Sequence, residues 1–169
     1  MKQLYKEVFT TPLGEMVAAS DDHSLYCVAF SDQPQLERRI AAVATKLGCT
    51  VSERSSPVLQ KLREELAQYF AGDRTTFSLP VAAVGTVFQQ AAWDALQQIP
   101  YGKTVTYSQQ AAVMGMPLAV RAVANANAAN MCALIVPCHR VITKAGAVCG
   151  YNGGVWRKQW LLEHEKRVR

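Results

Sequence analysis

Two neighbouring side chains in this sequence can do covalent chemistry together: Cys138 and His139, in the run ALIVPCHRVI from Ala133 to Ile142. A free thiol titrates at about 8.5 and is mostly protonated at neutral pH, so a cysteine becomes a nucleophile only with a base or a positive field close by. His139 is adjacent and Arg140 follows directly. Adjacent side chains on a strand point to opposite faces, so a working thiol–imidazole pair requires the chain to turn, and Pro137 makes such a turn plausible. Two readings stay open on these residues alone: an activated nucleophile, or a buried inert cysteine, which is the commoner fate of the residue type. Cys27, Cys49, Cys132 and Cys149 have no such company and read as packing residues. Five cysteines without a C-x-x-C pair fit neither a disulfide framework nor a zinc ribbon.

The elements that must position the pair follow from hydrophobic spacing. YKEVFTTPLGEMVAASDDHSLYCVAF (5–30) reads as short strands broken at Pro12-Leu13-Gly14 and at Asp21-Asp22-His23-Ser24, a β-meander. Leu36, Ile40, Val43 and Leu47 predict a helix over 34–47 with Gly48 behind it. Val58, Leu62, Leu66 and Tyr69 predict another over 57–71, opened by Pro57 and closed by Gly72. No catalytic side chains cluster in this half, which reads as an α+β scaffold.

After residue 80 the character changes. Thr86 and Gln89 form a capping box for a helix through Phe88, Ala92, Leu96 and Ile99 that stops at Pro100; Thr106 and Gln109 repeat the device for a short helix from about Tyr107 to Met114. Gly115-Met116-Pro117 then turns the chain into a third helix, PLAVRAVANANAAN, which gives a helix-turn-helix. The charge agrees with a polyanion partner: residues 1–80 carry 9 Lys and Arg against 10 Asp and Glu, whereas residues 81–169 carry 9 against 3. The third helix is unusual for a reader of the major groove, because it offers Ala119, Ala122, Ala124, Ala126, Ala128 and Ala129 with Arg121 as its single charge. Small residues suit either close approach to a minor groove, with Arg121 free to fill the gap left by an extruded base, or plain packing against a neighbouring helix.

Three stretches together resemble the O6-alkylguanine-DNA alkyltransferases, the methylated-DNA–protein-cysteine methyltransferase family: PCHRV after its apolar run, RAVANANAAN upstream, and GYNGGVWRKQWLLEHE downstream. The likeness runs from about Gly85 to Glu165, and TPLG (11–14) with YFAGD (69–73) extends it to nearly the whole chain. It implies an α/β N-terminal domain over 1–80 resembling the ribonuclease H fold. A mainly α, winged-helix-like C-terminal domain over 81–169 would carry the helix-turn-helix and the thiol. It also implies direct-reversal DNA repair: a single, irreversible transfer of the alkyl group from O6-alkylguanine, or alternatively O4-alkylthymine, to Cys138 after base flipping in double-stranded DNA. Residue by residue, His139 matches the histidine that takes the thiol proton through a water, and Glu165 the carboxylate that orients it and favours the thiolate. Asn130 matches the asparagine that orders the turn, Tyr107 the proton donor to the departing guanine, and Lys158 its supporting lysine. Arg121 matches the arginine that occupies the gap in the stack, with Ala122, Ala124 and Asn125 beside it on the DNA-binding helix. Tyr151, Asn152 and Gly153 match the loop lining the base pocket.

The sequence departs from the family pattern in places. Gln110 stands where a leucine is usual, which is expected to loosen the short helix. Asp21 and Tyr26 stand where some relatives hold a structural zinc, so no metal and no cofactor are expected. A Cys–His hydrolase and a DNA module that binds damage without transfer are the competing classes; the first needs an oxyanion hole, and the second needs no reactive thiol. No run approaches the roughly 18–20 apolar residues of a membrane span. MKQLYKEVFTTPLG lacks the apolar core of a signal peptide, and a cytoplasmic monomer with no membrane partner is the expectation.

Overall fold

A computed structural model describes residues 2–148 and 150–168, and the chain divides into two compact units, Met1–Val84 and Gly85–Arg169. The division falls after residue 80 because the following segment still belongs to the first unit: Leu25 N donates to Pro80 O and Ala82 N to Leu25 O, at 2.8 and 2.9 Å.

The first unit is a four-stranded sheet with two helices. β1 (Lys2–Thr11), β2 (Gly14–Ser20) and β3 (Leu25–Phe30) are the expected antiparallel meander. After α1 (Leu36–Leu47) comes a strand the sequence reading missed, β4 (Cys49–Ser52), which pairs parallel to the start of β1, Lys2 opposite Cys49 through Tyr5 opposite Ser52. The sheet order is β3-β2-β1-β4. α2 (Pro57–Ala71) starts where predicted: Pro57 occupies the first turn and Ser56 Oγ accepts from Leu59 N at 3.0 Å. Leu59, Leu62, Leu66 and Tyr69 of α2 are buried with Leu4, Met16, Val28 and Phe30 of the sheet. At the β2–β3 turn, Asp21 Oδ1 accepts from His23 N and Ser24 N at 2.8 and 2.7 Å, and Oδ2 accepts from Tyr26 Oη at 3.1 Å. Hydrogen bonds from its own chain therefore occupy both carboxylate oxygens at this turn.

The second unit is mainly helical. Its elements are α3 (Val87–Gln97), β5 (Val105–Thr106), α4 (Tyr107–Val113), α5 (Val120–Ala128), a 3-10 turn (Cys138–Arg140), β6 (Val141–Ile142) and α6 (Val155–Arg167). Both predicted capping boxes form, at Thr86/Gln89 and Thr106/Gln109. α3 ends at Gln97, short of Ile99, and α5 is shorter than PLAVRAVANANAAN, because Pro117 and Leu118 lie in the turn and Ala119 serves as N-cap. Gly115, with φ of 74°, supplies the left-handed residue that turn needs.

α3, α4 and α5 are tied through polar atoms in their shared core. Trp93 Nε1 donates to Ala126 O at 2.8 Å. Gln110, expected to loosen α4, instead does the reverse. Its amide exchanges two hydrogen bonds with the Asn127 amide, 3.0 and 2.7 Å, and Gln110 Nε2 also donates to Ala92 O at 3.1 Å. A buried amide costs stability only when unpaired, and this one is paired on both atoms. Asn127→Ala or Gln110→Leu should each strand the remaining amide and lower stability by about 1–3 kcal/mol. The double replacement by leucine should cost less than the sum of the single changes; strictly additive losses in urea denaturation would show that the two amides do not act as a pair.

Candidate functional site

The site begins with a strained loop. The apolar run before Cys138 is a string of turns and not a strand: Ile135 N donates to Ala133 O, Val136 N to Cys132 O, and Leu134 is buried with φ of 72°. A left-handed leucine costs about 1–2 kcal/mol, so this loop persists only because its surroundings dictate it. Asn130 is the brace. Its Oδ1 accepts from Cys132 N at 2.9 Å, and its Nδ2 donates to Val136 O at 2.9 Å and to Cys138 Sγ at 3.3 Å. The turn expected at Pro137 is present. Pro137 has φ −83° and ψ 65°, and Cys138 N donates to Val136 O at 2.8 Å, which makes it the centre of an inverse γ-turn that leads into the 3-10 turn.

That 3-10 turn directs the two following side chains to one carboxylate. His139 Nε2 and Glu165 Oε2 are 2.7 Å apart. Arg140 donates from Nε to Oε1 at 2.8 Å and from Nη2 to Oε2 at 3.1 Å, and Gly102 N reaches Oε1 at 3.3 Å. His139, Arg140 and Glu165 are all buried. Glu165 comes from the end of α6, 26 residues beyond His139 in sequence, so helix packing and not local sequence brings the pair together.

The charges are set by burial and by these contacts. Burial alone would raise the Glu165 pKa, but the hydrogen bond and charge of His139 and those of Arg140 hold it far below the usual carboxylate range. Burial pushes the His139 imidazole below its ordinary value; the Glu165 contact opposes this, while Arg140 and Lys158 reinforce it. An ionised carboxylate only accepts, so Nε2 of the neutral ring carries the hydrogen and Nδ1 carries the lone pair. That Nδ1 is buried and has no hydrogen-bond partner among the described residues. Burial also raises the Cys138 thiol, against the hydrogen bond from Asn130 and the charge of Lys158. Burial thus works against charge on both the thiol and the imidazole, while Asn130 and Lys158 favour the thiolate and Glu165 favours the imidazolium.

β5 and β6 connect this turn to α4. Val105 pairs with Val141 and Thr106 with Ile142, so the ladder ends where Tyr107 opens α4 and begins directly after Arg140. Lys158, buried on α6, places Nζ 5.7 Å from the centre of the Tyr107 ring. Gly150 lies against Tyr107: a Cβ there would stand 3.4 Å from the Tyr107 hydroxyl. The Tyr151 hydroxyl is buried without a partner among the described residues; burial and the nearby Cys138 keep its pKa well above the ordinary value. Asn152 donates through Nδ2 to Ala128 O at the end of α5, and Arg157 Nη1 holds Gly153 O at 3.0 Å, so the loop is anchored from two helices.

The remaining predicted residues lie on α5, away from the relay. Arg121, Ala122 and Asn125 are exposed and Ala124 is half-buried, while Val123, Ala126 and Asn127 face the core. The alanines of this helix thus divide between an exposed face and the core. Of the other cysteines, Cys27 is buried with its thiol pushed up to about 12 by burial, Cys132 is buried and Cys49 is half-buried; Cys149 lies outside the described residues. No helix among the described residues is long and apolar enough to cross a membrane.

Comparison with known proteins agrees along the whole chain. Residues 4–83 match the family model described as the ribonuclease-like domain of 6-O-methylguanine DNA methyltransferase, and residues 87–167 match the model of its DNA binding domain. The constitutive methylated-DNA–protein-cysteine methyltransferase of Bacillus subtilis is 39% identical over 96% of this chain and 95% of its own length. The crystal structure of Mycobacterium tuberculosis O6-methylguanine methyltransferase superposes with a TM-score of 0.84 at 36% identity, covering 98% of this chain and 94% of that one. A crystal structure of the same organism's OGT in complex with DNA gives 0.83 at 36% identity, over 96% and 93% of the two chains.

Two outcomes follow from the charge state of the site. Because the Cys138 pKa lies above its ordinary value, its reaction with a small neutral electrophile such as iodoacetamide should climb roughly tenfold per pH unit between pH 7 and 9. A rate that has already levelled off below pH 7 would reveal a standing thiolate. Because the Glu165 pKa is depressed from 4.5, the stability it contributes is complete above that value and is lost as the pH falls below it toward the folded pKa. Glu165→Gln should accordingly flatten the acid limb of the unfolding free energy against pH.

Proposed function

Because this chain belongs to the 6-O-methylguanine DNA methyltransferase family, we propose that it repairs alkylated DNA by direct reversal, moving the alkyl group of O6-alkylguanine onto its own Cys138, once and irreversibly. The observation that carries this reading is the Cys138 thiol, braced by Asn130 in the turn whose next residue is bonded to the buried Glu165 carboxylate.

In the proposed reaction the thiol proton passes through a water to His139 Nδ1, the basic atom that the Glu165 contact leaves available. Buried water typically bridges polar groups of this kind. Sulfur attacks the alkyl carbon, an S–C bond forms, the C–O6 bond breaks, and its electron pair stays on the guanine. Tyr107 supplies a proton to the purine ring, with the Lys158 ammonium stabilising the phenolate that this leaves. The proton held on His139 then returns, through water, to the Tyr107 phenolate, so the net products are a cysteine thioether and guanine. A thioether is not readily hydrolysed, which makes the protein a reagent consumed in one turnover. Tyr151, Asn152 and Gly153 are assigned to the pocket for the flipped base, and Tyr151, kept protonated by its surroundings, is suited to donate a hydrogen bond there.

The partner is double-stranded DNA carrying the alkylated base. Supporting this are the excess of positive charge after residue 80 and the face of α5 on which Arg121, Ala122 and Asn125 are exposed. Small side chains on that face admit a close approach to the minor groove, and Arg121 is assigned to the gap left by the flipped nucleotide. Every group the reaction uses belongs to one chain, which favours a monomer; a cytoplasmic setting, without membrane attachment, completes the reading.

Incubation with a duplex containing O6-methylguanine should add one methyl group per molecule, located on the peptide that contains Cys138; label on Cys27, Cys49, Cys132 or Cys149 would refute the assignment. Arg121→Ala should slow repair of the duplex at least tenfold more than reaction with a free O6-alkylguanine base, because the free base has no stack to leave and no gap to fill. Equal slowing of both substrates would place Arg121 in the chemistry or in the fold.

A further inference from the structure

The proposed reaction leaves Arg140 without a task, yet Arg140 bonds directly to both carboxylate oxygens of the relay's Glu165. It is 6% exposed. Nε and Nη2 grip both oxygens of Glu165, Nη1 donates to Ile99 O at 2.8 Å, and the guanidinium carbon lies 5.7 Å from the centre of the Tyr101 ring. A solvated arginine would serve any structural purpose at the surface; one buried and committed on three sides has a specified position.

We propose that Arg140 is a positioning residue for alkyl transfer: its fork keeps Glu165 a carboxylate in register with His139, so that His139 carries its one proton on Nε2 and turns Nδ1 to the Cys138 thiol as the base. The inference rests on the reading of Cys138 as alkyl acceptor. Its physical basis is the number of states open to a buried carboxyl–imidazole pair. Left to itself, such a pair can take up a second proton, and if that proton sits on Glu165 and is donated to Nε2, the ring's own hydrogen is left on Nδ1, where it blocks the base. A guanidinium bonded to both carboxylate oxygens removes that state, because protonating Glu165 would leave a buried arginine unpaired.

Arg140 also settles the charge of the cluster. Glu165 and Arg140 cancel, so a proton arriving on His139 makes the cluster cationic beside Lys158, and the imidazolium is held only until the Tyr107 phenolate takes that proton. The groups facing the pair are Cys138 and Arg140 on the turn, Tyr101 after α3, Tyr151 on the loop, and Lys158 on α6. Lys103, Glu163 and Lys166 line a pocket of about 430 Å³ that Glu165 also borders. Among them Arg140 is the cation in direct contact with Glu165. A lysine would keep its charge but cannot fill both carboxylate oxygens and Ile99 O in one plane.

The test is the pH dependence of single-turnover methyl transfer from a duplex carrying one O6-methylguanine, for wild type, Arg140→Lys and Arg140→Gln. Arg140→Gln should move the acid limb of the rate upward by about one pH unit, since loss of the cation makes His139 easier to protonate, and should lower the plateau about tenfold or more. Arg140→Lys should restore the limb toward the wild-type position without restoring the plateau. An Arg140→Gln limb that coincides with wild type would overturn the proposal, because a merely structural role changes how much protein is active and not the pH at which it acts. A second measurement needs no variant: nitrogen NMR of the His139 ring in the wild-type protein at pH 7.5 should show the neutral tautomer protonated at Nε2, and a proton on Nδ1 would overturn the proposal even if the variants do not fold. Failure of the underlying reading looks different: wild-type protein would gain no methyl group on Cys138, whatever the tautomer of His139.

Discussion

A carboxylate with almost no access to water organises the second half of this protein. Moving an ion of that kind out of solvent costs several kcal/mol even after relaxation, and breaking a buried pair by removing one partner costs about 3–5 kcal/mol. Glu165 is tolerated because His139, Arg140 and the Gly102 backbone all donate to it. These donors come from two separate places in the chain, and the carboxylate from a third, so satisfying one charge cross-links the segment after α3, the thiol turn and α6. What the site does chemically and what holds this unit together are thus the same set of hydrogen bonds.

The same economy governs the thiol. Burial raises the Cys138 thiol, while the Asn130 hydrogen bond and the Lys158 charge act against that rise. An Asn130 donor lies 3.3 Å from the Cys138 sulfur, and the His139 imidazole belongs to the next residue. Negative charge on that sulfur would meet a donor already in place to receive it. The left-handed Leu134 and the γ-turn at Pro137 are the backbone cost of presenting sulfur this way, and the Asn130 side chain fixes both ends of the loop that bears it.

The two departures from the family pattern show how a fold accommodates polar substitutions. Gln110 in place of an apolar residue is stable because Asn127, one helix away, has the complementary amide. Asp21 and Tyr26 bond to each other, and Asp21 also accepts from the turn backbone. In both cases the replacement is legible only when its partner is seen, because a buried polar group is costly or harmless according to whether it is paired.

Local rules reached a definite part of this protein from the amino-acid sequence. Spacing and turn residues located the meander and five of the helices, since amphipathic period, capping boxes and Gly or Pro stops act over a few residues. The thiol, its adjacent histidine and the requirement for a turn at Pro137 were readable for the same reason. The likeness of PCHRV, RAVANANAAN and GYNGGVWRKQWLLEHE to a known family pointed to Glu165, Asn130, Tyr107 and Lys158 as their companions. The tertiary structure decided everything that depends on pairing across distance. β4 is a strand because β1 offers it an edge; the short β5–β6 ladder fixes where Tyr107 begins relative to Arg140; Gln110 is a clasp because Asn127 faces it. Residue types supply a thiol, an imidazole and a carboxylate, whereas the fold sets burial against charge on the first two and places His139 and Arg140 where they hold the third ionised. Residue types determine which charges are available, but the dielectric around them and the partners that reach them exist only once the chain has folded.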